Sequence, residues 1–236
     1  MGSRRAWIVF SLFVISARPG NFLFAQAGSQ SSSSSSTKHV KRPAVAIDSG
    51  IEAGTVSNGV YRNKTLGLSC RVPEGWVLRT EEMNTRDDTD SQAKSSPQRG
   101  TEENHGRVLL AAFSRPPEAR GQDVNGSIVI AAENTSAYPG LTEAAQYFGP
   151  LSEVAKAQGL VAEEEPYEIA IGTKTLVRED FHKDVGSRMM RQSTLAMLSH
   201  GYAVSITVIA GTEDDVEELI DGLDFQGAAK VAPPPK

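Results

Sequence analysis

The stretch that decides the fold is YRNKTLGLSCRVPEGWVLR, Tyr61 to Arg79. Leu66, Leu68, Cys70 and Val72 fall at period two, with Gly67, Ser69 and Arg71 between them. Successive side chains on a strand point to opposite faces, so this alternation predicts a half-buried strand. Pro73-Glu74-Gly75 supplies turn chemistry, and Trp76-Val77-Leu78 opens a partner strand, which together predict a hairpin. The stretch holds the chain's one cysteine, Cys70, and one of its two tryptophans, Trp76. A nucleophilic thiol needs a lowered pKa and an adjacent base. Cys70 instead shares its face with three aliphatic residues, where a free cysteine behaves as a small hydrophobe. Its expected place is the core.

Upstream, the chain opens like an export signal. Arg4 and Arg5 precede the apolar run Ala6–Ala17, and Ala25-Gln26-Ala27 offers small residues for cleavage after residue 27. Arg18-Pro19-Gly20 interrupts the run before it reaches the roughly 20 apolar residues of a membrane span. The stretch GSQSSSSSSTKHVKRP follows, and residues 28–55 are expected to be a flexible linker. The domain is then expected over 56–225, with an extended, proline-rich tail over 226–236.

Charge narrows the partners. The net charge is −5, and loss of residues 1–27, which carry three arginines and no carboxylate, takes it to −8. Binding to phosphate backbones or anionic lipid is driven by Lys and Arg, so nucleic acid and membrane surfaces are poor partners. One cysteine allows no internal disulfide, so a hydrophobic core must hold the fold.

Downstream, Val108–Phe113 and Ser127–Ala132 are short apolar runs of strand type. Tyr167, Ile169 and Ile171 alternate, as do Tyr202, Val204, Ile206 and Val208. Thr173–His182 and Arg188–Leu198 flank Asp184-Val185-Gly186-Ser187 as a hairpin, and Ser199-His200-Gly201 turns into the last strand. Leu141 to Ala155 follows helical spacing with Gly159 as its C-cap, and Gly149-Pro150 is expected to kink or split that helix. A second helix starts at Thr212, with acids after the cap and an apolar stripe of Val216, Leu219, Ile220 and Leu223. Residues 80–107 have no periodicity and almost no apolar content, which predicts a mobile polar loop.

This order of elements, opened by Tyr61, Asn63, Gly67, Leu68, Ser69, Pro73, Gly75 and Trp76 and closed by GYAVSITVIAGTEDDVEELIDGLDF, resembles the PsbP/Mog1-like proteins, including their small exported bacterial members. The resemblance implies an α+β fold: a central, mainly antiparallel sheet flanked by helices in an α-β-α sandwich. It also implies a non-catalytic role, in a group that includes a lumenal photosystem II subunit, a nuclear-transport factor that binds a small GTPase, and envelope proteins. One fold carries unrelated functions, so none of these transfers by fold alone.

Candidate sites are few. Asp180, His182 and Asp184 project to one strand face as a carboxylate–imidazole–carboxylate row, a set that would suit a divalent metal. The plain alternative is a solvated strand face beside a turn. His39, His105 and His200 show no zinc-type spacing, and no nucleophile elbow or phosphate loop is present. Asn63, Asn125 and Asn134 each begin an N-glycosylation pattern, which matters only in a eukaryotic secretory pathway. The acid-rich segment around Asp87, Asp88 and Asp90 is the expected partner-binding surface. The sequence therefore predicts an exported, periplasmic or extracellular module without a cofactor, which binds or assembles with another envelope or secreted protein. A metal- or small-ligand-binding protein is the alternative, and a hydrolase with an unfamiliar site is a third.

Overall fold

The computed structural model describes residues 51–85, 106–119, 121 and 123–226. The expected signal, most of the expected linker, Asp87, Asp88 and Asp90, and the proline-rich tail after Gln226 lie outside the described residues. The fold reaches back to Ile51, which is buried in the core ahead of the expected start at residue 56.

Two antiparallel sheets organise the chain. The smaller has the order β1 (Thr55–Ser57), β2 (Val60–Asn63), β3 (Leu68–Arg71) and β12 (Leu223–Phe225). The larger runs β4 (Val77–Leu78), β5 (Arg107–Phe113), β6 (Ser127–Asn134), β11 (Tyr202–Ala210), β10 (Arg188–Ser199), β9 (Lys174–Val185) and β7 (Val161–Ala162), with β8 (Tyr167–Ile171) also on β9. Strands β8 to β11 form the expected antiparallel meander. Its three tight connections, Gly172-Thr173, Gly186-Ser187 and His200-Gly201, are two-residue loops. Gly186 has φ +65°, and His200 and Gly201 have φ +53° and +78°, the left-handed pair that matches the twist of a hairpin.

The opening stretch folds differently from its expected hairpin. Leu66, Leu68, Cys70 and Val72 are all buried, as the alternation requires. However, β3 pairs with β2 and β12, whereas β4 pairs with β5 in the other sheet. Pro73-Glu74-Gly75 is thus a crossover between sheets rather than a hairpin turn. The Trp76 amide donates to the Pro73 carbonyl at 3.3 Å, and Gly75 has φ +82°. The hydrophobic pattern fixes which face of a strand is buried, but it does not choose the neighbouring strand.

Period two also divides the core of the larger sheet. Leu195, Met197, Val204, Ile206 and Val208 face a cluster that includes Val216, Leu219 and Ile220 of helix α3 (Glu213–Asp221), together with Leu68, Cys70 and Phe225 of the small sheet. The intervening Ala196 and Ala203 face Tyr147, Phe148 and Leu151 of helix α2 (Ala144–Ala157) on the opposite side. The class is α+β, with a mostly antiparallel sheet covered on both faces.

Two expectations about helices need correction. Residues 80–85, placed in a loop, are helical (α1). Their contacts are polar: the Thr80 hydroxyl accepts from the Ala111 amide at 3.0 Å, and Asn84 bonds both the N–H and the C=O of Val108. Hydrogen bonds to a sheet edge, rather than an apolar stripe, hold this segment, so periodicity had nothing to register. Helix α2 also runs unbroken through Pro150. Gly149 has no Cβ to meet the proline ring, and Phe148 and Leu151 on either side are buried, so packing offsets the lost backbone bond. Helix α3 begins as expected, with the Thr212 hydroxyl accepting from the Asp215 amide at 3.1 Å.

Candidate binding groove

The crossover at Pro73–Gly75 delivers Trp76 to the surface beside the first turns of α3. Its indole lies over Gly126, where a Cβ would sit 3.3 Å from the ring, so a side chain there would crowd the indole. The Gly126 carbonyl in turn accepts from the Ser114 amide at 2.8 Å and fixes the segment below. Trp76, Val124 and Leu219 form the floor of a groove of about 350 Å³. It is also lined by Arg71, at the end of β3 and bonded through its amide to the Gly222 carbonyl at 2.9 Å, and by Asp215 and Glu218 of α3. The volume lies within the about 300–1,000 Å³ of ordinary ligand sites. A partly buried tryptophan with a charged rim is suited to recognition, since tryptophan carries large contact energy at little entropy cost.

The other candidates fare as follows. Cys70 is fully buried, and burial pushes its thiol up to about 12, which makes it a core residue without nucleophilic character. Asp180, His182 and Asp184 do share one strand face, but they look to different partners. Asp180 accepts from Arg178 at 2.9 Å and from the Tyr167 hydroxyl at 2.8 Å, His182 approaches Glu163 at 3.3 Å, and Asp184 is exposed. No group of three or more His, Cys, Asp or Glu placed to hold a metal occurs among the described residues. Of the glycosylation patterns, Asn63 is buried with its amide donated to the Glu52 carbonyl, and Asn125 is bonded to Ser114 and Arg115. No described helix is long and apolar enough to cross a membrane.

Sequence reading missed two buried carboxylates beneath α2. Glu133 accepts from the Tyr138 hydroxyl, and the Tyr138 ring meets Tyr147 edge-on at 5.7 Å. Glu179 accepts from the Ser152 hydroxyl at 2.6 Å. Burial raises both carboxyls above the ordinary range, and the hydroxyl bonds offset only part of that. A small void of about 10 Å³ between Leu151, Phe181 and Thr194 has room for no more than a water molecule. Nothing local marks these acids as buried, because burial comes from α2 folding over them.

A carboxyl raised in the folded state binds its proton more tightly there than in the unfolded chain. Its contribution to stability is therefore full at pH below the ordinary carboxylate value and is lost as pH rises through the folded value. Glu133→Gln should remove that loss, while its amide oxygen still accepts from Tyr138. The melting temperature of the variant relative to the parent should climb as pH is raised from about 4 to about 8. A constant difference across that range would show that Glu133 is solvated.

Comparison with known proteins yields structural likeness alone. No family model matches the chain, and no curated protein matches it. Among solved structures, it is similar to LpqN of Mycobacterium tuberculosis, described as involved in cell envelope biogenesis, at 11% identity and a TM-score of 0.36, over 68% of this chain and 83% of that one. It is also similar to the Ran-binding protein Mog1p of Saccharomyces cerevisiae, at 12% identity and a TM-score of 0.35, over 67% and 90%. These are likenesses at low identity and with TM-scores below 0.5, so no activity, ligand or partner follows from them.

Proposed function

We propose that this chain is an exported, non-catalytic binding or assembly module for another envelope or secreted protein, and that it makes contact through the Trp76 groove. The observation that carries the reading is the partly buried indole in a groove of about 350 Å³ lined by charges of both signs. Export is supported by the N-terminal pattern from Arg4 to Ala27. Interface energy concentrates in a few residues, with tryptophan prominent among them, so one substitution should be decisive.

Trp76→Ala in the full chain should lose the partner in pull-downs from the envelope fraction while keeping a cooperative thermal transition. A second chain lacking residues 86–105 tests the acid-rich segment around Asp87, Asp88 and Asp90. An unchanged set of captured proteins with Trp76→Ala would overturn the groove as the contact surface.

A further inference from the structure

The lining of the groove specifies the chemistry of what it binds, an inference that rests on the binding reading above. We infer that the Trp76 groove takes an extended peptide segment bearing one lysine or arginine next to an apolar residue. Asp215 and Glu218 stand three residues apart on the exposed side of α3, and both line the groove. Glu217, next to them, is held by Arg178, but neither Asp215 nor Glu218 meets a cation among the described residues.

The helix dipole accounts for Asp215 but not for Glu218. Acids in the first turn, Glu213 to Asp215, suit the positive end of the helix dipole. Glu218 lies beyond that turn, and Asp221 closes a helix whose last turn holds no base, where negative charge opposes the dipole. Of the two carboxylates that line the groove, Glu218 is thus the one the helix dipole does not favour. A cation laid on the indole would meet the electron-rich face of Trp76 and both carboxylates together. Beside it, Val124 and Leu219 offer an apolar seat for a neighbouring side chain.

Arg71, which lines the groove beside Gly222 at the end of α3, is exposed and has no ion pair among the described residues. It would repel a second cation and can donate to the backbone carbonyls of an extended segment. That asymmetry selects a single basic residue in an otherwise apolar segment, not a polybasic stretch.

The test uses the full chain with Trp7→Phe, which leaves Trp76 as its one tryptophan. Its emission is followed while two capped pentapeptides are added, Ala-Pro-Lys-Val-Ala and the same peptide with glutamate in place of lysine. The lysine peptide should shift the emission and bind about tenfold more tightly than the glutamate peptide. Asp215→Asn with Glu218→Gln, which keeps shape and removes charge, should erase that preference. The Asp215→Lys, Glu218→Lys chain should reverse it. Equal affinities, or no response to the lysine peptide, would overturn the inference, as would an emission shift with protein concentration alone, which would seat a second copy in the groove. If Trp76-dependent capture survives the charge-neutral pair unchanged, the binding reading stands and this inference falls. If Trp76→Ala changes nothing in the pull-down, both fall.

Discussion

Phe225→Ala should lower the melting temperature by about 10 °C, measured by circular dichroism at constant pH. Phe225 ends β12 and is fully buried, in one cluster with Leu68 and Cys70 of the small sheet, Ile171 of β8 and Ile220 of α3. Removing a phenyl ring costs its transfer energy and leaves a cavity, together about 3–5 kcal/mol. In a domain of this size each kcal/mol moves the midpoint by about 2–4 °C. The surroundings cannot easily close over the gap. The Phe225 carbonyl accepts from the Thr173 amide at 2.9 Å and its hydroxyl at 3.0 Å, and a Cβ on Gly172 would lie 2.5 Å from that same oxygen. Backbone contacts therefore pin the position from which the ring projects. Phe225→Leu, which keeps most of the volume, should cost less than about 1.5 kcal/mol. Equal losses for the two variants would mean that packing at this junction does not set stability.

The second large effect is expected at Arg178, in the middle of β9. Its guanidinium is almost wholly buried. It donates from Nε to Asp180 at 2.9 Å and from Nη1 and Nη2 to the two oxygens of Glu217 on α3, at 3.2 and 2.5 Å. Tyr167 lies beneath it, with 5.9 Å from the guanidinium carbon to the ring centroid. Burial works against the charge, but the bonds to Glu217 and Asp180 outweigh it, and the net effect holds the guanidinium protonated. Arg178→Ala would leave Asp180 enclosed with only the Tyr167 hydroxyl, at a cost of about 3 kcal/mol. Arg178→Lys keeps the charge without the planar fork and should fall between alanine and the parent. A double-mutant cycle with Glu217→Gln isolates the link between sheet and helix, with an expected coupling of about 0.5–3 kcal/mol. A coupling near zero would reduce the pair to a surface contact, in keeping with the partial exposure of Glu217.

Much of the fold was legible because the residues that shape it act locally. Leu66 to Val72 alternate because a strand buried on one face must repeat every second residue, and Val204, Ile206 and Val208 alternate with smaller residues because the two covered faces of the large sheet meet different partners. Thr212 caps α3 through its own hydroxyl, and His200-Gly201 adopts the turn its backbone permits. The candidate site was far less legible. Trp76 was visible as a tryptophan in a turn, but its role in a groove depends on Gly126, Val124 and Leu219, which come from distant parts of the chain. Asp180, His182 and Asp184 stood out through their spacing, yet that spacing did not reveal the Arg178 and Tyr167 groups that engage Asp180.

What the sequence by itself determined was the identity of most strands and of two helices, the buried place of Cys70, and the acidic, cysteine-poor character that favours a core-stabilised domain. Each follows from backbone preferences or from a one-dimensional hydrophobic period. Only the tertiary structure decided that β4 leaves the small sheet for the large one, that residues 80–85 coil against β5 through hydrogen bonds, and that Pro150 stays inside a continuous helix. It also decided that Glu133 and Glu179 lie in the dark beneath α2 and that Trp76 floors a groove walled by α3. The reason is common to all of them. Strand pairing, burial of a polar group and the walls of a groove depend on which remote segments meet, and the free energy of that meeting is not contained in any local stretch.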